Sequence, residues 1–188
     1  NGAGKSTLMN LLYGLQKPTL GRIEIKGKPI SPHHDPTRAM AMGVGMVHQH
    51  FKLVPGFTVA QNIVLGMEPK KHSLFYDQKR INTEVTALCE RFGLPLNPQD
   101  TVGELSVGLQ QRVEILKALH RGADVLVLDE PTAVLTPQET EELFQVIRRI
   151  VTEKEMTVIL ITHKLGEVMR LSDRVGVMRR GKLLDVLN

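Results

Sequence analysis

Two short apolar runs joined by a long amphipathic segment limit what this chain can fold into. The runs are "DVLVLD" (124–129) and "TVILIT" (157–162). Both are continuous rather than alternating, as expected for strands buried on both faces of a parallel sheet. Between them, "TPQE" (136–139) has the form of a helix start. Thr136 is the N-cap, Pro137 takes the first helical position and Glu139 completes a capping box. Leu143, Val146, Ile147 and Ile150 then supply a buried stripe at helical spacing. The order strand–helix–strand predicts a crossover between parallel strands, and so an α/β fold. With 188 residues, the chain has room for one such domain with an inserted subdomain.

The rest of the chain reads around that centre. Residues 6–13 form a helix with Leu8, Leu11 and Leu12 as its apolar face. "GRIEIKGKPI" (21–30) is a hairpin turning at Lys26-Gly27-Lys28, with Ile23 and Ile25 on one side. "GVGMVHQHF" (43–51) is a short buried strand that ends in polar residues. From Thr58 to about Leu94 the pattern is helical, with Ile81, Val85, Leu88, Cys89 and Phe92 on one face. Residues 97–108 form a loop, and Leu109, Val113 and Leu116 begin another amphipathic helix. "RVGVM", Arg180-Gly181 and "KLLDV" form a closing hairpin. Residues 50–118 lack buried strand runs and are expected to be a helical subdomain inserted between two α/β parts. One cysteine allows no internal disulfide. No apolar run reaches the ~18–20 residues of a membrane span. The net charge of +4 suits phosphates, nucleic acid or an anionic membrane face, and equally an ordinary soluble surface.

Three motifs carry chemistry. The chain opens on "NGAGKSTLMN", six residues of the G-x-x-x-x-G-K-[ST] phosphate loop. Its pattern places a first glycine and a feeding strand ahead of Asn1. Gly2 and Gly4 let the backbone approach phosphates, Lys5 reaches the β- and γ-phosphates, and the Ser6 hydroxyl ligates Mg²⁺. Asn1, Ala3 and Thr7 complete the loop. The second motif is "VLVLDEPT" (125–132), a buried strand that delivers Asp129 and Glu130 to the C-terminal edge of the sheet, where nucleotides bind in open α/β folds. Asp129 suits water-mediated Mg²⁺ binding, and Glu130 suits orienting and deprotonating a water. The third is "LSVGLQQRVEI" (105–115), a helix capped by Ser106 with Gly108 in its first turn.

"ELSVGLQQR" resembles the signature of ATP-binding cassette (ABC) ATPases. The motif order matches as well: P-loop, Gln49, signature, Asp129-Glu130, and His163 after "VILIT". The resemblance covers essentially the whole chain. It implies a RecA-like P-loop NTPase core with an antiparallel β subdomain and an inserted helical subdomain at about 50–118, so that residues 1–188 form one nucleotide-binding domain that is incomplete at its N-terminus. It also implies roles. Lys5 and Ser6 are the Walker A pair, Asp129 is the Walker B aspartate and Glu130 the catalytic carboxylate. Gln49 completes the Mg²⁺ shell and senses a membrane partner, and His163 contacts the γ-phosphate. Ser106 and Gly108 serve in trans, on ATP held by a second cassette stacked head to tail. "FTVAQNIVLG" (57–66) and "DEPTAVLTPQE" (129–139) are most similar to the N-terminal cassette of bacterial simple-sugar and nucleoside importers. In those proteins two cassettes are fused, permease subunits and a solute-binding protein are partners, and ATP with Mg²⁺ drives transport at the cytoplasmic face of the inner membrane.

Two departures stand out. The usual L-S-G-G-Q becomes Leu105-Ser106-Val107-Gly108-Leu109, and Leu109 removes the reciprocal bond that a Ser-x-x-Gln capping box would make. Thr136 stands where the family's S-A-L-D loop carries a carboxylate. The expectation is a signature that works but is tuned, in a chain that, without the strand feeding its loop, binds ATP weakly or not at all. One rival is a soluble ABC ATPase acting on nucleic acid or ribosomes. Against it, no lysine/arginine block with interleaved aromatics is present. The other rival is a nucleotide-binding module without turnover, which Glu130 opposes. His48 and His50 flank Gln49 on one strand without a carboxylate partner, and His33-His34 form a loop pair; neither pair is expected to be a metal site.

Overall fold

A computed structural model describes residues 2–31, 33–67, 70, 71 and 75–188. In chain order the elements are α1 (Lys5–Tyr13), β1 (Glu24–Ile25), β2 (Lys28–Pro29), α2 (Pro36–Ala41), β3 (Val44–Val47) and α3 (Val59–Val64). They continue with β4 (Lys70–Lys71), β5 (Phe75–Tyr76), α4 (Gln78–Phe92) and α5 (Val107–His120). The last third holds β6 (Val125–Asp129), α6 (Pro137–Lys154), β7 (Thr157–Ile161), α7 (Leu165–Leu171), β8 (Val175–Arg179) and β9 (Lys182–Leu187).

The centre is a parallel sheet in the order β3-β6-β7. Val47 lies beside Leu128, and Asp129 beside Ile161, so the strands end together and bring their polar C-terminal residues to one edge. Side chains alternate across the sheet. Leu126, Leu128 and Val47 join the core formed with α3, α4, α5 and α6. Val127, Val44, Met46 and Ile161 join a second core with Ile25, Ala39 and the inner side of α1. β6 is therefore buried on both faces, as its unbroken apolar run predicts.

β7 differs from its reading as a fully buried strand. Val158, Ile159 and Leu160 are only half-buried. Among the described residues β7 pairs with β6 alone, and its other edge borders a cleft of about 550 Å³. Lys5, Leu8 and Met9 of α1 line the same cleft with Val175, Met178 and Leu183 of the final hairpin. For that reason α1 has no fully buried residue, and Leu8 is 43% exposed.

The stretch 58–94 is not one helical run. α3 stops at Leu65, whose ψ of 119° is extended, and β4 pairs antiparallel with β5 before α4 begins. Residues 68, 69 and 72–74 of that stretch lie outside the described residues. Beyond the break α4 follows its pattern: Ile81, Val85, Cys89 and Phe92 are buried, and burial raises the Cys89 thiol pKa. The first hairpin turn is one residue shorter than expected, Lys26-Gly27 alone, with Lys28 already in β2. His34 is a structural residue, buried with Nε2 2.8 Å from the Leu12 carbonyl oxygen, which joins the end of α1 to the start of α2.

Candidate functional site

The loop 2–7 turns into α1 through Gly4, whose φ of 93° is left-handed. A helix leaves its first N–H groups without intrahelical partners, and among the described residues no side chain caps them. They form a positive, open helix end suited to a phosphate. The tip of the β8–β9 hairpin rests on this loop: the Gly181 N–H donates to the Ala3 carbonyl at 2.9 Å. A side chain at residue 4 would meet the Gly181 backbone at 3.1 Å. Gly4→Ala therefore combines backbone strain with a collision that cannot relax easily. It is expected to weaken ATP binding by at least about tenfold. Equilibrium nucleotide binding to the full-length protein checks this, and an affinity matching wild type would contradict it.

Ser6, one turn into the site, donates its hydroxyl to Asp129 Oδ1 at 3.2 Å. The two residues lie 123 positions apart, and Asp129 is a buried carboxylate at the end of β6. A hydroxyl and a buried carboxylate in contact below an open helix end form a hard oxygen donor set. This fits Mg²⁺ with a bound phosphate.

Glu130 follows with φ 47°, a conformation that disfavours a non-glycine residue. Its N–H donates to the Ile161 carbonyl at 2.9 Å, which fixes the turn to β7. The side chain is thereby held next to His163, with Nδ1 3.1 Å from Glu130 Oε1. When Nδ1 donates to that carboxylate, Nε2 is the exposed ring nitrogen, and His163 is about half-exposed.

A buried group missed in the sequence reading holds the His163 turn. Glu167 accepts from the Thr132 hydroxyl at 2.5 Å and from the Thr162 hydroxyl at 2.7 Å, and it pairs with Lys164 Nζ at 3.2 Å. Lys164 also donates to the Thr132 carbonyl at 3.1 Å. The Glu130 turn and the His163 turn are thus tied together behind their functional side chains. Burial alone would raise the Glu167 pKa, but the three donors outweigh it and leave it below the usual carboxylate value. The only trace in the sequence is a glutamate one helical turn after His163.

Gln49 is exposed just past β3, on the same sheet edge, and it makes no hydrogen bond to Ser6 or Asp129. Its neighbour His48 stands edge-on to Tyr13, with ring centroids 6.2 Å apart. Burial and then Lys52 lower the His48 pKa, against the opposing pull of Asp129. Asn1 lies outside the described residues.

Ser106 and Gly108 do not contact the P-loop. Ser106 caps α5, accepting from the Leu109 N–H at 3.4 Å. Both residues are held by Glu139 of α6, whose Oε1 accepts from the Ser106 hydroxyl and the Gly108 N–H, each at 3.1 Å. Its Oε2 accepts from the Thr136 N–H and hydroxyl, each at 3.0 Å. The Thr136 N–H, helped by the Thr136 hydroxyl, the Gly108 N–H and the Ser106 hydroxyl, keeps the Glu139 carboxyl below its usual pKa against the opposing effect of burial. Arg112 pairs with Glu142 one turn further along, so α5 and α6 are joined twice. The sequence assigns Glu139 to the cap of α6 alone, and its reach to α5 had no local signal.

Fold, phosphate loop and signature helix together define a P-loop ATP-binding cassette. The family model described as ABC transporter matches residues 1–133, and the chain belongs to that family, whose members bind ATP. Among its relatives, the guanosine import ATP-binding protein NupO of Bacillus subtilis (strain 168) is 52% identical over 188 residues. The nucleoside import ATP-binding protein NupA of Lactococcus lactis subsp. cremoris (strain MG1363) is 50% identical over 187 residues. Each alignment covers 100% of this chain and 36% of the relative, so the chain spans about a third of their length. Among solved structures, the dimeric ATP-binding cassette MJ0796 in a post-hydrolysis state with ADP and Pi superposes with a TM-score of 0.78 at 26% identity. That match covers 98% of this chain and 80% of MJ0796. Among the described residues no helix is long and apolar enough to cross a membrane.

Proposed function

We propose that residues 1–188 are a nucleotide-binding domain, with residues 50–118 as its helical subdomain, in an ATPase that powers import of a small solute. A nucleoside is favoured over a sugar, since both relatives above are named as nucleoside or guanosine importers. The observation that carries the reading is the 3.2 Å contact between Ser6 and Asp129, with the Glu130–His163 pair beside it. In this reading the N–H groups of Gly2 to Thr7 and the Lys5 ammonium hold phosphates, with Asn1 assigned by sequence position alone. Ser6 and Asp129 hold Mg²⁺, and Gln49 completes its shell. Bound MgATP supplies the phosphoryl group and the charge that activates it. Glu130 orients a water and accepts its proton, while His163 presents Nε2 to the phosphate side.

Ser106 and Gly108 serve the nucleotide of a facing cassette, fused in the same polypeptide; the greater length of the relatives leaves room for one. Permease subunits and, through them, a solute-binding protein are the further partners, with the cassette at the cytoplasmic face of the inner membrane. Turnover by the full-length protein with its membrane subunits in proteoliposomes tests this. A nucleoside-loaded binding protein is expected to stimulate ATP hydrolysis several-fold and ribose to have little effect. Stimulation by ribose would reassign the solute. Stimulation by RNA or ribosomes, with none by any solute, would overturn the transport reading.

A further inference from the structure

The γ-phosphate donors attributed to the signature helix already have an anionic partner within this chain. Glu139 Oε1 sits 3.1 Å from both the Ser106 hydroxyl and the Gly108 N–H. We propose that Glu139 is an intramolecular latch on the signature, competing with the phosphate of a facing nucleotide for the same two donors. This rests on the reading of Ser106 and Gly108 as a phosphate site in trans.

Three features make the contact specific. Leu109, at the third position of α5, carries no polar side chain, and the acceptor that reaches the Ser106 hydroxyl and the Gly108 N–H comes from α6. Gly108 makes room for it: a Cβ at residue 108 would lie 2.7 Å from Glu139 Oε1 and 2.9 Å from Cδ. The carboxylate also has a second anchor. Oε2 stays on the Thr136 cap, so rotation of the side chain releases Ser106 and Gly108 while α6 remains capped. Ser106 and Val107 are exposed on this surface, as is Val134 of the adjoining loop, so an incoming phosphate has access. The latch lowers apparent nucleotide affinity by the fraction of time it holds the donors.

Glu139→Gln separates the two roles, because glutamine still completes the Thr136 capping box but carries no charge. In the full-length protein assembled with its membrane subunits, its Kd for a non-hydrolysable ATP analogue is expected to fall about three- to tenfold. Without nucleotide, amide exchange at Gly108 and Leu109 is expected to speed up. Glu139→Asp, which keeps the charge but is one methylene too short to span both anchors, is expected to shift both readouts the same way. An unchanged or raised Kd in both variants would overturn the latch. So would failure of both to fold, since the contact would then be a structural tie. Ser106→Ala distinguishes the underlying reading. If it leaves analogue binding and turnover unchanged, the trans phosphate site itself fails. If it impairs them while Glu139→Gln has no effect, only the latch falls.

Discussion

Glu130→Gln is expected to lower ATP turnover by at least about a hundredfold while leaving nucleotide affinity within a few-fold of wild type. The substitution is isosteric. It keeps the backbone bond from residue 130 to the Ile161 carbonyl and leaves the Ser6–Asp129 pair untouched. What it removes is the carboxylate in contact with His163, which in the proposed mechanism takes the proton from an attacking water. The left-handed φ of 47° at Glu130 is a standing cost of about 1–2 kcal/mol, and it aims this side chain out of the sheet edge. Phosphate release by the full-length protein, paired with equilibrium binding of ATP, separates chemistry from affinity. Turnover at background in the wild type and unchanged by the substitution would favour the module that binds nucleotide without hydrolysing it.

Residues whose role depends on strand ends were legible in the sequence. The unbroken run at 125–129 had to be a central strand, and its last residue had to emerge at the C-terminal edge. The capping box at Thr136 and the stripe on α6 were equally local signals and appear as expected. What was not legible depends on neighbours far away in sequence. The apolar run at 157–161 is the same kind of run as 125–129, yet among the described residues β7 pairs with β6 alone and stays half-buried. The break between α3 and α4 is set by backbone geometry at Leu65, which apolar spacing does not report. Glu139 and Glu167 illustrate the limit for the site. Each is a glutamate in the first turn of a helix; the sequence gives Glu139 only its place in the capping box and assigns Glu167 no role. Their function comes from partners 31 to 35 residues away.

Glu167→Ala is expected to destabilise the protein by about 2–4 kcal/mol. Glu167 is buried, and its removal leaves the Thr132 and Thr162 hydroxyls and the Lys164 ammonium without their shared acceptor. The cost is therefore the desolvation of three donors more than the loss of one ion pair. Because these residues tie the Glu130 turn to the His163 turn, turnover should fall as well, through lost positioning. Glu167→Gln retains an acceptor oxygen and is expected to recover part of the stability. The pH dependence follows from the direction of the shift. The folded-state pKa of Glu167 lies below its unfolded value, so its contribution is fully present above the unfolded carboxylate range. It is lost as pH falls through the folded-state pKa. The gap in thermal midpoint between wild type and Glu167→Ala should thus be widest near neutrality and narrow on acidification below about pH 4.5. A gap that stays constant down to pH 3 would show that the buried carboxylate is not the source of the stability.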